Sequence, residues 1–140
     1  MFDNRLKALL IALEEYGTKE VAGDKHNPQI LKYHQATDLR ASADEVPWCS
    51  AFVNWIMKEA GIKGTNKANA RSWAAWGEEG EGLKGEVAVL WRESPEGTLG
   101  HVGLVVKRTE HGVWLLGGNQ GDMVNISFFP KDRVLSYRTY

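Results

Sequence analysis

The hydrophobic pattern of this chain changes period once, at Gly77. Before it, apolar residues recur at helical spacing; beyond it, they alternate as in strands. Helices grouped first and strands second do not make interleaved β-α-β units. The order predicts an α+β fold, a helical layer packed on an antiparallel sheet. Asp3 reads as the cap of a first helix that carries Leu6, Leu9, Leu10 and Leu13 on one apolar stripe, runs to about Tyr16 and stops at Gly17. Residues 17–23 read as a turn, and Asn27-Pro28 opens a short helix carrying Ile30, Leu31 and Tyr33. Residues 34–43 are polar and predict a loop. A third helix carries Ala51, Phe52, Trp55, Ile56 and Ala60 and ends at Gly61; a short fourth spans 70–76, capped by Asn69. An acidic, flexible loop follows over 77–82. Strands are predicted over 86–92, 101–107, 112–116, 124–129 and 133–140, with turns at 94–97 and 109–112 that suit antiparallel hairpins.

With 140 residues, the chain predicts one domain over 1–140, large enough to bury a core. Its net charge of −1 offers neither a nucleic-acid footprint nor a polybasic membrane patch. The leucines of the first helix are separated by charged residues, unlike the continuous apolar core of a signal peptide, and no stretch approaches the ~20 apolar residues of a membrane span. These features predict synthesis in the cytoplasm without a signal peptide. One cysteine excludes an internal disulfide and a cysteine-rich zinc site, so no metal site and no cofactor is expected.

That cysteine, Cys49, sits in Asp44-Glu45-Val46-Pro47-Trp48-Cys49-Ser50. Asp44 or Glu45 can cap the third helix, and Pro47 suits an early helical position. Cys49 then falls in the first turn, where the helix dipole and free N–H groups favour thiolate. The competing reading is an inert buried thiol, the commoner fate of a lone cysteine. Of the four histidines, His101 differs from the others because it opens a strand between Gly100 and Val102-Gly103. It is either a strand-end histidine bonded to nearby backbone or a partner for Cys49. If the strands from His101 and Val113 pair as a hairpin, Gly117-Gly118-Asn119-Gln120-Gly121-Asp122 comes back beside His101. An Asn119 amide oxygen there accepts Nδ1–H of His101 and leaves Nε2 facing the sulfur, the logic of nucleophile, base and orienter. The bland alternative is a simple Asn-Gly turn.

The block Trp-Cys-Ser-Ala-Phe-Val-Asn-Trp, the strand Gly-His-Val-Gly-Leu-Val-Val and the turn Gly-Gly-Asn-Gln resemble the CHAP and NlpC-type cysteine peptidases, in their compact single-domain branch from phages and bacteria. Residues 17–23, 27–33 and 70–73 also match that branch. The resemblance implies a papain-like fold and cleavage of amide bonds in peptidoglycan, with Cys49 as nucleophile, His101 as base and Asn119 as orienter. Many CHAP members carry a glutamate two residues before that asparagine, and here the position is Gly117. Asn119 must then orient His101 alone, or Gln120 assists. The backbone N–H of Cys49 is a natural oxyanion donor. Trp48, Ser50 and Trp73 flank the expected groove and, with Gln120, are expected as contacts for a muropeptide, although both tryptophans also suit the core. Glu45 is a helix cap or a partner for a substrate amine. A lysis enzyme or delivered toxin of this kind works as a monomer on peptidoglycan or a muropeptide, without nucleic acid or membrane insertion, and has an immunity or delivery protein as its further partner. Two rivals remain from other classes: a catalytically silent wall-binding or interaction domain, and a lysozyme-like glycosidase using Glu20 or another acidic residue of the helical half.

Overall fold

The computed structural model describes residues 3–22, 25–43 and 47–140. Three α-helices come first: α1 (Asn4–Glu14), α2 (Pro28–His34) and α3 (Cys49–Glu59). A 3-10 helix, Ala70–Ala75, leads into six strands: β1 (Glu78–Glu79), β2 (Val87–Trp91), β3 (Gly100–Arg108), β4 (Gly112–Gly117), β5 (Asn125–Pro130) and β6 (Val134–Thr139). They form one antiparallel sheet in the order β1-β6-β2-β3-β4-β5. The expected α+β class is what the structure has, with helices packed on one face of the sheet.

Local chemistry explains most of the helix starts. Asp3 accepts from the backbone N–H groups of Arg5 and Leu6 at 2.8 and 3.2 Å, and Asn27 accepts from that of Gln29 at 2.9 Å with Pro28 at the first helical position. The face of α1 departs from expectation. Ala8, Leu9 and Ala12 are buried against α3 and β4, while Leu6, Leu10 and Leu13 are 41–45% exposed. Two alanines let the helix axis approach its neighbours closely, which a leucine stripe on that side would prevent. His34, expected in a polar loop, is the last residue of α2 and buried. The 77–82 segment is also more ordered than its composition suggests. Glu78 and Glu79 pair with Thr139 and Arg138 as an edge strand.

The main core lies between helices and sheet, where Phe52, Val53, Ile56 and Met57 of α3 meet Val87, Val89, Val102 and Leu104. A smaller cluster on the opposite face joins Ala88, Leu90, Val105, Val113 and Leu115. Alternation along β2 and β3 sends neighbouring residues to these two clusters.

Glu86, just before β2, is 1% exposed. One of its oxygens accepts the backbone N–H groups of Glu81, Gly82 and Leu83 at 3.1, 2.7 and 2.9 Å, and the other lies 3.5 Å from the Arg5 guanidinium. Burial pushes this carboxyl up, but the N–H groups outweigh it and hold it below the usual glutamate value. A lowered folded-state value means that the stabilisation is present above the unfolded glutamate value and is lost as pH falls through the folded one. Glu86→Ala strands these donors, at about 1–3 kcal/mol for each buried group left unpaired. The expected result is a thermal midpoint lower by roughly 10 °C at neutral pH, with the gap to wild type closing in acid, as calorimetry across pH reads directly.

Candidate active site

Cys49 is the first residue of α3, preceded by Trp48 as its cap without a side-chain cap bond. Pro47 therefore lies before the helix, not within it, and the expected caps Asp44 and Glu45 fall outside the described residues. Trp48 is held from below: its indole Nε1–H donates to Glu20 Oε2 at 2.9 Å, and its ring stacks on Tyr33 with centroids 5.8 Å apart. A helix leaves its first N–H groups without intrahelical acceptors, so the N–H of Cys49 is available to developing negative charge.

His101 enters from the sheet. It is the second residue of β3, opposite Leu90 of β2. The pairing of Leu104 with Leu116 brings the end of β4 to the start of β3, as a hairpin requires. The Cys49 thiol and the imidazole lie close enough to shift each other's titration, with exposures of only 7% and 9%. Burial pushes the thiol up. The hydrogen bond and charge of His101 oppose this, aided by the backbone N–H groups of Val102 and Ser50, and leave the thiol below its ordinary value. Burial pushes the imidazole down; Cys49 and Gln120 reverse this and leave it above the ordinary histidine value. The two shifts together favour a thiolate–imidazolium pair.

The side chain bonded to the imidazole is that of Gln120, which the sequence offered only as an aid to Asn119. Gln120 Oε1 lies 2.9 Å from His101 Nε2, and Gln120 is 5% exposed. Its amide cannot be turned the other way. Gln120 Nε2 donates to the carbonyl oxygens of Leu115 and Asn125 at 3.2 and 2.9 Å and to Asn125 Oδ1 at 2.9 Å. Facing only acceptors, that nitrogen leaves Oε1 for the imidazole, so His101 Nε2 carries the proton and Nδ1 faces the sulfur. The expected tautomer is therefore reversed. Asn125 Nδ2 donates back to the Gln120 carbonyl at 2.8 Å, and Ser127 Oγ donates to Asn125 Oδ1 at 2.7 Å.

Gly117 shows why. A Cβ there would sit 2.5 Å from Gln120 Oε1, so the space that a side chain at 117 would enter is filled by the Gln120 carboxamide. At Gly118 a Cβ would meet Trp48 and Phe52 at 2.7 and 2.8 Å, so the loop carrying Gln120 nests directly on the residues around Cys49. Asn119 has φ +59 and turns the chain. Residues 19 and 20, in the segment expected as a plain turn, strap this loop: Glu20 N–H donates to the Asp122 carbonyl at 3.0 Å, and Lys19 forms a bridge with Met123. Glu20 thus ties the loop of Gln120 to the Trp48 indole.

The other expected contacts are corrected. Trp48, Ser50 and Trp73 are fully buried and do not face a groove. Trp73 Nε1 donates to Ser50 Oγ at 2.9 Å, and Ser50 Oγ donates to the Lys67 carbonyl at 2.6 Å, bracing α3 from behind. Their indole and hydroxyl groups serve packing and buried hydrogen bonding. Glu45 lies outside the described residues. Arg71 was missed in the sequence: its guanidinium donates to the carbonyls of Leu99, Pro95 and Ser94 at 2.9, 2.9 and 2.7 Å, fastening the loop that enters His101. A lone arginine in a short helix carries no signal of this. Among the described residues, no group of three or more His, Cys, Asp or Glu side chains is placed to hold a metal ion.

The family model for the CHAP domain matches residues 41–119 of the chain. No curated protein matches it in sequence. Among solved structures, a Staphylococcus aureus protein described as similar to a lipoprotein of the NLP/P60 family superposes with a TM-score of 0.55 at 18% identity. The match covers 98% of this chain but only 42% of that one, so this chain spans less than half the length of its structural relative. At that identity the likeness speaks for the shared fold.

Proposed function

The chain belongs to the CHAP domain family, whose members are typically cysteine hydrolases of peptidoglycan, and from that premise we propose that it cleaves an amide bond of peptidoglycan through a thioester. The observation carrying this is the chain of contacts from Cys49 to His101 to Gln120, in which both titrating groups are shifted toward the charged pair. The Cys49 thiolate attacks the carbonyl carbon, and the Cys49 N–H steadies the oxyanion. The imidazolium returns its proton to the departing amine, which breaks the C–N bond. Water, deprotonated by His101, then attacks the thioester and releases the acid. Gln120 keeps Nε2 protonated and the ring in plane throughout; it is a positioning residue. Action on the wall after release or delivery from the producing cell, as a lysis enzyme or toxin, is the role proposed with it.

Digesting purified peptidoglycan and identifying the products by mass spectrometry tests this. A new amine and a new carboxylate at one amide are expected, lost on alkylation of Cys49 and in Cys49→Ala. New reducing sugar ends, or digestion indifferent to Cys49, overturn the proposal.

A further inference from the structure

A cavity of about 330 Å³, walled in part by His101 and not by Cys49, opens to solvent. It lies at the small end of ligand pockets, which run from about 300 to 1,000 Å³. Its walls include Arg92, Arg133, Asn119, Phe128 and Phe129, and no acidic residue is among them. Phe129 also lies against the imidazole, with ring centroids 5.1 Å apart, so the cavity and the catalytic pair share a wall.

The two arginines are held differently and both keep donors free. Arg133 Nε donates to the Trp91 carbonyl at 2.9 Å, and its guanidinium lies over the Trp91 and Phe129 rings at 5.6 and 5.8 Å. That packing sets the plane of the fork and commits neither Nη group to an acceptor among the described residues. Arg92 is exposed and takes part in no ion pair among the described residues. The Asn119 carboxamide likewise has no hydrogen-bond partner among them. Two cations without a counter-ion, one pre-set by aromatic stacking, and an amide beside them match a planar anion.

We propose that this cavity binds a free carboxylate on the leaving-amine side of the substrate, so that the enzyme prefers amides whose departing group is an amino acid or peptide with an unmodified carboxylate. The side follows from the hydrolase proposal above, on which this inference rests: the amine departs toward the imidazole that protonates it, and that imidazole is a wall of the cavity. The bound carboxylate also offsets the Arg133 charge, which opposes the His101 imidazolium. A larger cavity of about 830 Å³ makes a useful contrast. It mixes Lys84, Arg108 and Lys131 with Glu81 and Glu110, so its lining carries both signs of charge.

Binding and turnover test the two proposals separately. Alanylalanine and its C-terminal amide, titrated into the protein, are followed at the Arg133 Nε and Asn119 Nδ2 signals by NMR. The free acid is expected to shift both saturably, with the amide at least about tenfold weaker, and Arg92→Gln should bring the acid to the amide's level. Arg92 is exposed, so that variant folds. Equal shifts from acid and amide, or no response to Arg92→Gln, overturn the carboxylate site. In turnover, peptidoglycan whose carboxylates have been converted to amides with carbodiimide and ammonium should be cut about tenfold more slowly or worse. Equal cutting of both walls overturns the subsite and leaves the hydrolase intact. Failure to cut either wall, with acid-selective binding retained, overturns the hydrolase and leaves the subsite.

Discussion

His101→Ala is expected to lower peptidoglycan turnover by about a thousandfold or more, because nucleophile, base and orienter act as one unit. Its signature is separable from misfolding. In the wild type, the imidazole and two backbone N–H groups hold the Cys49 thiol below its ordinary value despite burial. Without the imidazole, burial dominates and the thiol moves up. Iodoacetamide should therefore modify wild-type Cys49 readily at neutral pH, and His101→Ala only as pH rises into the ordinary thiol range or beyond. The wild-type hydrolysis profile should show two limbs. It rises as pH passes the lowered thiol value and falls as pH passes the raised histidine value, because the imidazolium proton that the amine needs is then lost. An alkylation profile that is unchanged in His101→Ala would remove the ion pair from the mechanism.

Gln120→Leu is expected to cost about 10–100-fold in kcat, the usual range for a group that orients a catalytic side chain, and to move the pH limb assigned to His101, while Asn119→Ala leaves that limb in place. The contrast decides which of two neighbouring amides holds the imidazole. Gln120→Glu is not a conservative exchange here. It sets a carboxylate oxygen against the Leu115 carbonyl, the Asn125 carbonyl and Asn125 Oδ1, which now receive amide N–H groups. Since a side chain at 117 would enter the space of Gln120 Oε1, Gly117→Glu alone should displace Gln120 and impair activity. Combined with Gln120→Gly, the same Gly117→Glu should recover roughly tenfold over Gln120→Gly alone, a coupling that two neighbours sharing one site must show. The pH limb assigned to His101 should move in Gln120→Leu and return in the double variant. A merely structural role for Gln120 predicts lost stability with no movement of that limb.

The periodicity change at Gly77 was enough to read the layering of helices against an antiparallel sheet, because side-chain spacing is a local consequence of burial on one face. Asp3, Asn27 and Pro28 mark helix starts for the same reason: their cap bonds reach only two or three residues. Cys49 at a helix start and His101 at a strand start were legible from their immediate neighbours, and the hairpin register that brings the 117–122 turn to His101 followed from strand lengths. What lay beyond local reach was decided by close packing. Which leucines of α1 face the core depended on how near two alanines let it approach α3 and β4. Whether Asn119 or Gln120 meets the imidazole depended on a loop with positive φ at Asn119, strapped by residues 19 and 20 from a distant part of the chain. Trp48, Ser50 and Trp73 sit close to Cys49 in the fold and were expected to touch substrate, but they turn inward to hydrogen bonds with Glu20, Lys67 and one another. Local sequence carries a residue's propensity and spacing; the direction a side chain takes among several nearby partners is set by volume exclusion and by the acceptors and donors that distant segments bring to it.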